Sequence, residues 1–261
     1  MNRGTERLLA RLGRLSWLDE AAARELAAGP WKERRFSPRE HLVHERSTAE
    51  AVFLLTTGFA CRYKMSPDGR RQIIGLLLPG DICGLRMFIR QQVDHSICAL
   101  RSTWAAVIRC EAVAELLDRR PLVGQAMWWL TAAEDSITRQ WVVNVGYRNA
   151  YERVAHLLCE IFWRLERAGL ARDGVCEMPL TQIELGDALA LSSVHVNRTL
   201  MEMRRARLVR LQAGRLELLD RGALELAAGF DPQYLADAGA TCSPCPEPPS
   251  CDVVRPAPPP G

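Results

Sequence analysis

The sequence predicts an α+β protein built in three successive parts. A double-stranded β-helix, or jelly-roll-like barrel, comes first, then one long helix, then a winged helix-turn-helix. Three patterns predict it. Short β-prone runs alternate with turn residues over residues 31–108, a helical stripe follows over 122–145, and two capped helices with a hairpin occupy 181–218. Short strands at regular spacing argue for a roll closed on itself. Two short helices joined by a tight turn make a helix-turn-helix.

Composition bounds the rest. At 261 residues there is room for one large domain or two ordinary ones. Hydrophobic and charged shares of 48% and 25% are those of a soluble globular protein. A net charge of +3 carries no nucleic-acid signal by itself, so any such reading rests on local clusters. Residues 1–14 lack the uninterrupted apolar core of a signal peptide, and no later run is long enough to span a bilayer. The expectation is a cytoplasmic protein without a membrane partner. Nine scattered cysteines do not resemble a small disulfide framework, so most are expected as buried apolar residues.

Residues 1–30 read as a helical segment, with Leu8, Leu9, Leu12, Leu15, Trp17 and Leu18 before a stop at Gly29-Pro30. Residues 31–118 form the barrel. Its strand-like runs end at Gly58, at Ser66-Pro67-Asp68-Gly69 and at Pro79-Gly80. A roll of this size holds side chains or one small ligand.

Residues 119–146 form the long helix. Leu122, Ala126, Leu130, Ala133, Ile137, Trp141 and Val145 recur every three or four residues. The stripe is about 37 Å long at 1.5 Å per residue. A second copy, pairing through residues 121–145, is the simplest cover for such a seam; the alternative is burial against its own barrel.

Residues 147–230 form the winged helix-turn-helix. An amphipathic helix over 151–168 turns Val154, Leu157, Leu158, Ile161, Phe162 and Leu165 inward. Thr181 and Glu184 then form a capping box, and Ser192 caps the next helix. There Val196, Leu200 and Met203 face inward, leaving Ser193, Val194, Asn197, Arg198 and Arg204 outward. Gly186 lies where the two helices must approach closely. Arg204, Arg205, Arg207 and Arg210 crowd the far end, where phosphates would lie. The runs 208–211 and 216–218 flank Ala213-Gly214 as a hairpin wing. Residues 231–261, rich in proline and cysteine, read as a disordered tail.

Leu78-Pro79-Gly80-Asp81 and Gly84 in the barrel, with Leu180-Thr181-Gln182, Gly186-Asp187, Leu191-Ser192 and Val196-Asn197-Arg198, resemble the Crp/Fnr family of bacterial transcription regulators. The resemblance spans residues 36–219. It implies a cyclic-nucleotide-binding-like sensor barrel and a homodimer on a palindromic operator, with double-stranded DNA and RNA polymerase as further partners and no catalysis. Ser193, Val194, Asn197 and Arg198 match base-contacting positions. Thr181, Gln182, Ser192 and His195 match phosphate-contacting ones, and Arg215 in the wing is a further phosphate candidate.

Departures are equally specific. Ala190 stands where the family's turn has glycine. Cyclic-AMP-binding members carry a glutamate after the barrel glycine and a downstream Arg-Ser or Arg-Thr pair; here Leu85 follows Gly84 and the pair is His95-Ser96. No cysteine precedes Cys61, unlike members with an N-terminal iron–sulfur cluster. Neither cyclic AMP nor a cluster is expected, and no cofactor or metal is assigned. Gly84, Leu85, Arg86, His95 and Ser96 mark the candidate pocket of an unidentified effector. Cys242, Cys245 and Cys251 read as reduced thiols in the tail. The alternative function is a ligand-binding signalling module whose winged helix contacts protein.

Overall fold

The computed structural model describes residues 3–12, 18–48, 50–85 and 92–235. The barrel strands are β1 (Lys32–Phe36), β2 (His41–Val43), β3 (Ala51–Thr57), β4 (Ala60–Met65), β5 (Arg71–Leu77), β6 (Ile82–Cys83), β7 (Ser96–Ala99) and β8 (Thr103–Arg109). They form two antiparallel four-stranded sheets, ordered β1-β8-β3-β6 and β2-β7-β4-β5. Phe36, Phe53, Leu55, Leu77, Ile97 and Ala105 fill the space between them.

Both sheets are also covered outside, which is why β3 is apolar over Ala51-Val52-Phe53-Leu54-Leu55 instead of alternating. The outer face of the first sheet (Val52, Leu54, Ala106, Ile108) carries two helices, α1 (Arg3–Leu12) and α2 (Glu20–Ala27), through Leu8, Leu12 and Leu26. The single helical segment expected over residues 1–30 therefore contains two helices. Asp19 caps α2 by accepting from the Ala22 N–H, which starts a new helix there. Leu15 and Trp17 lie outside the described residues. Gly58 joins β3 to β4 at φ +82°, where a Cβ would stand 2.5 Å from the Ser102 carbonyl oxygen. Only glycine satisfies both the positive φ and that approach.

After α3 (Cys110–Arg119) comes the long helix α4 (Pro121–Tyr147), with proline at its first position. Its register divides the apolar stripe between two partners within the chain. Ala126 and Leu130 are buried against the chain's own barrel and N-terminal helices, and Trp141 against the C-terminal domain. The apolar stripe expected to meet a second copy is thus largely turned inward. The outer face is a different row: Trp128 at 71% exposure, Ala132, Asp135, Arg139, Val142 at 70% and Gly146.

The C-terminal domain comprises α5 (Ala150–Arg167), β9 (Ala171–Arg172), β10 (Val175–Glu177), α6 (Gln182–Leu189), α7 (Ser193–Arg205), β11 (Val209–Gln212), β12 (Arg215–Leu218) and α8 (Arg221–Ala228). Its strands form one antiparallel sheet, β11-β12-β10-β9. Asn149 and Glu152 form a capping box that starts α5. This domain covers the outer face of the second barrel sheet. Phe59, Cys61, Ile73, Cys98 and Leu100 share one apolar cluster with Leu158, Leu185, Ala188 and Leu189.

A buried polar network ties the parts together. Glu160 on α5 accepts from Trp141 Nε1 at 3.1 Å, Arg164 Nη1 at 3.2 Å and Tyr234 Oη at 3.0 Å. Arg164 also donates to the Leu76 carbonyl at 3.0 Å and pairs with Asp81 in the barrel. Tyr234 belongs to a 3-10 turn, Pro232–Leu235, and stacks on buried His156. Residues 232–235 thus pack on the C-terminal domain although the tail is expected from residue 231, because Phe230 and Tyr234 find aromatic and acidic partners on α5. Residues 236–261, including Cys242, Cys245 and Cys251, lie outside the described residues.

Candidate nucleic-acid interface

Thr181 begins α6. Its Oγ1 accepts from the Glu184 N–H at 3.1 Å, and the Glu184 carboxylate accepts from the Thr181 N–H at 2.7 Å. Glu184 has a second task that its capping role did not predict. It accepts two bonds from Arg101 of the barrel, at 3.0 and 3.1 Å. Burial would raise its pKa, but the bonds from Arg101 and Thr181 outweigh that and hold it low. Arg71 on β5 pairs with Asp187 at 2.7 Å, so α6 is docked to the barrel by two ion pairs.

The turn after α6 folds back onto Gly186. Leu191 N–H donates to the Gly186 carbonyl at 3.1 Å, and a Cβ on Gly186 would lie 2.5 Å from the Leu191 oxygen. Ala190 adopts φ 54°, ψ 44°, the left-handed conformation for which the family uses glycine. Ser192 then caps α7 by accepting from the His195 N–H at 3.2 Å.

Helix α7 is anchored by Val196, Thr199 and Met203. Leu200 is only partly buried, and Thr199 takes an inward place that its polarity had hidden. Val194 is 78% exposed, Asn197 and Arg198 are exposed beside it, and Ser193 is half-buried. Exposed Met201 extends the same face; its spacing of seven from Val194 was the overlooked signal. His195 is bonded within the helix, since Arg198 Nη2 donates to its Nε2 at 3.2 Å.

Thr181, Gln182, Asn197, Met201, Arg204 and Gly214 line an open recess of about 400 Å³ between α7 and the wing. Ala213 and Gly214 both have positive φ, the conformation of a tight hairpin turn. Arg204, Arg205, Arg207 and Arg215 are exposed and make no ion pair among the described residues. Arg210 differs from the expectation: it pairs with Glu217 across the wing at 2.6 Å.

The expected effector residues are only partly assembled. Gly84 packs against β3, where a Cβ would stand 2.9 Å from the Ala51 oxygen, and Leu85 joins the N-terminal cluster. Ser96 Oγ accepts from the Glu45 N–H at 3.0 Å, and Arg86 lies outside the described residues. Of the described members of the set, His95 lines a cavity of about 200 Å³ between barrel and α4. Its Nδ1 is 2.8 Å from Asp94 Oδ1, and its Nε2 is buried without a partner. Burial lowers its pKa. Arg62 and Glu134 line the same cavity and pair at 2.9 Å. They were missed because only closure of the barrel onto α4 brings them together. Of the other histidines, His41 bonds the Tyr63 hydroxyl at 2.7 Å and stacks on His44.

Comparison with known proteins fits this geometry. The cyclic nucleotide-binding domain family matches residues 33–120, and the Crp-like helix-turn-helix domain matches residues 152–227. The transcriptional activatory protein AadR of Rhodopseudomonas palustris is 30% identical over 189 residues, covering 71% of this chain and 77% of AadR. The nitrogen fixation regulation protein FixK of Bradyrhizobium diazoefficiens is 30% identical over 196 residues, covering 74% of this chain and 80% of FixK. The solved structure of FixK2 from Bradyrhizobium japonicum superposes with a TM-score of 0.70 at 27% identity, covering 76% of this chain and 96% of that one. Barrel, long helix and winged helix thus recur in one order in sequence and in space, and the chain belongs to the Crp/Fnr family of transcription regulators.

Proposed function

We propose that this DNA-binding transcription regulator acts as a homodimer on a two-fold symmetric operator. The observation that carries the reading is the face of α7, where Val194, Asn197 and Arg198 stand exposed while Val196 and Met203 hold the helix from behind. With Ser193, these side chains meet base edges in the major groove. Arg198 holds guanine O6 and N7, and Asn197 reads adenine. Thr181, Gln182, Ser192, His195 and Arg215 bind phosphates, with Arg204, Arg205 and Arg207 adding charge. The dimer forms through the exposed row of α4, which sets two α7 helices about 34 Å apart on one DNA face. AadR is named an activatory protein, which favours activation through contact with RNA polymerase here.

The effector pocket is narrowed from Gly84, Leu85, Arg86, His95 and Ser96 to the cavity that His95 shares with Arg62 and Glu134. Both arginines in its lining are already paired, Arg62 with Glu134 and Arg164 with Asp81 and Glu160, and no carboxylate follows Gly84, so cyclic AMP is not proposed. No catalysis is assigned, and the protein works in the cytoplasm. Binding-site selection followed by titration of the selected duplex tests the reading. Affinity should fall steeply with salt as several phosphate contacts are lost. Salt-independent binding, or no selected sequence, would favour the winged helix as a protein-contacting module instead.

A further inference from the structure

The barrel face beneath the C-terminal domain carries two thiols. Cys61 on β4 and Cys98 on β7 are directly opposed in the antiparallel register. Their sulfurs lie 3.6 Å apart. Opposed residues in such a pair keep Cα atoms about 4.5–5.5 Å apart, within the roughly 4.4–6.8 Å that a disulfide spans. Bond formation therefore needs side-chain rotation and no movement of either strand.

The two sulfurs are not equivalent. The bond from Cys61 and the nearby Arg71 guanidinium pull Cys98 below the usual thiol range. The same bond and burial push Cys61 above it. An ionisable sulfur beside one that keeps its proton suits stepwise oxidation. Arg71 is also the residue that holds Asp187 of α6, at 2.7 Å. Cys61 and Cys98 belong to the apolar cluster that contains Leu185, Ala188 and Leu189 of that helix.

We propose that Cys61 and Cys98 form a reversible disulfide that loosens the docking of α6 on the barrel and so makes DNA binding redox-dependent. A hydroperoxide reaches the pair when α6 lifts from β5. The Cys98 thiolate attacks the peroxide oxygen, the O–O bond breaks, and the departing oxygen takes a proton as alcohol or water. Cys98 is left as a sulfenic acid. Cys61 sulfur then attacks Cys98 sulfur; the S–S bond forms, the S–O bond breaks, and the hydroxyl leaves as water with the Cys61 proton. Two thiols are oxidised and one hydroperoxide is reduced. The joined sulfurs draw together from their 3.6 Å separation, which reshapes the apolar surface on which Leu185, Ala188 and Leu189 pack.

The test uses the full chain. Reduced protein is first titrated with its selected duplex, which examines the DNA reading separately. The protein is then treated with hydrogen peroxide, alkylated, digested without reduction and mapped by mass spectrometry. The expected result is a linked Cys61–Cys98 peptide pair, lighter by two hydrogens and separated by dithiothreitol. The duplex affinity should be about tenfold weaker in the oxidised state, a coupling of ordinary size. Cys98→Ser and Cys61→Ala, each on one sulfur, should abolish both changes. Absence of the linked pair after exposed thiols have reacted would overturn the proposal. So would a linked pair with unchanged affinity.

Discussion

His195 Nε2 accepts from the Arg198 guanidinium at 3.2 Å, which holds in place the side chain that we propose reads a base. Truncation should remove base discrimination more than general binding. Arg198→Ala is expected to lower preference for the selected operator over a single-mismatch duplex by about 1–3 kcal/mol. Competition titration checks this, and an unchanged consensus from binding-site selection would remove the role. Ala190 offers a test of backbone strain. Its left-handed conformation costs an L-residue roughly 1–2 kcal/mol, while glycine costs about 0.5–1 kcal/mol more in chain entropy. The first effect wins by a small margin. Ala190→Gly should therefore raise unfolding stability by about 0.5 kcal/mol, read as a higher urea midpoint.

At the scale of the element, the turn between α6 and α7 depends on Gly186. The atom that a Cβ would strike is a backbone oxygen, which cannot swing aside as a flexible side chain would. Gly186→Ala should cost about 1–3 kcal/mol of stability and weaken DNA binding together with it. Thermal unfolding beside duplex titration reads both, and an unchanged melting temperature would mean that the turn relaxes freely. Helix α4 makes a second test. Val142 sits in the exposed row, away from the buried Trp141 beside it. Val142→Asp should leave helical content intact and shift the particle toward monomer, measured by light scattering. A variant that stayed dimeric would place the seam elsewhere.

For the whole molecule, the two barrel sheets, α4 and the C-terminal domain meet around the Glu160, Arg164 and Asp81 network, and removing one partner would strand a buried charge. His156 adds pH dependence. Burial, with a smaller effect of Arg148, lowers its pKa to about 3, against an unfolded value of 6.5. Below 6.5 the unfolded chain takes up a proton that the folded chain refuses. This contribution is therefore present above pH 6.5 and is lost as pH falls toward about 3. From pH 7 to 5 the loss is about 2 kcal/mol. The urea midpoint of the parent should drop over that interval more than that of His156→Gln; parallel profiles would assign the acid sensitivity to other groups.

Local chemistry made much of this molecule legible in the chain itself. Thr181, Glu184 and Ser192 are caps whatever surrounds them, because their partners lie within three residues. Positive φ at Gly214 and the exposure of Val194, Asn197 and Arg198 follow from turn chemistry and helical period. Tertiary structure alone decided what covers each apolar face. The stripe on α4 is apolar on either reading, but periodicity does not say whether its cover is a second copy or the chain's own barrel. Arg62 with Glu134, Glu184 with Arg101 and Cys61 with Cys98 are distant in sequence. No short-range preference brings such groups together. Only the closing of two sheets, and the seating of one domain on the other, does so.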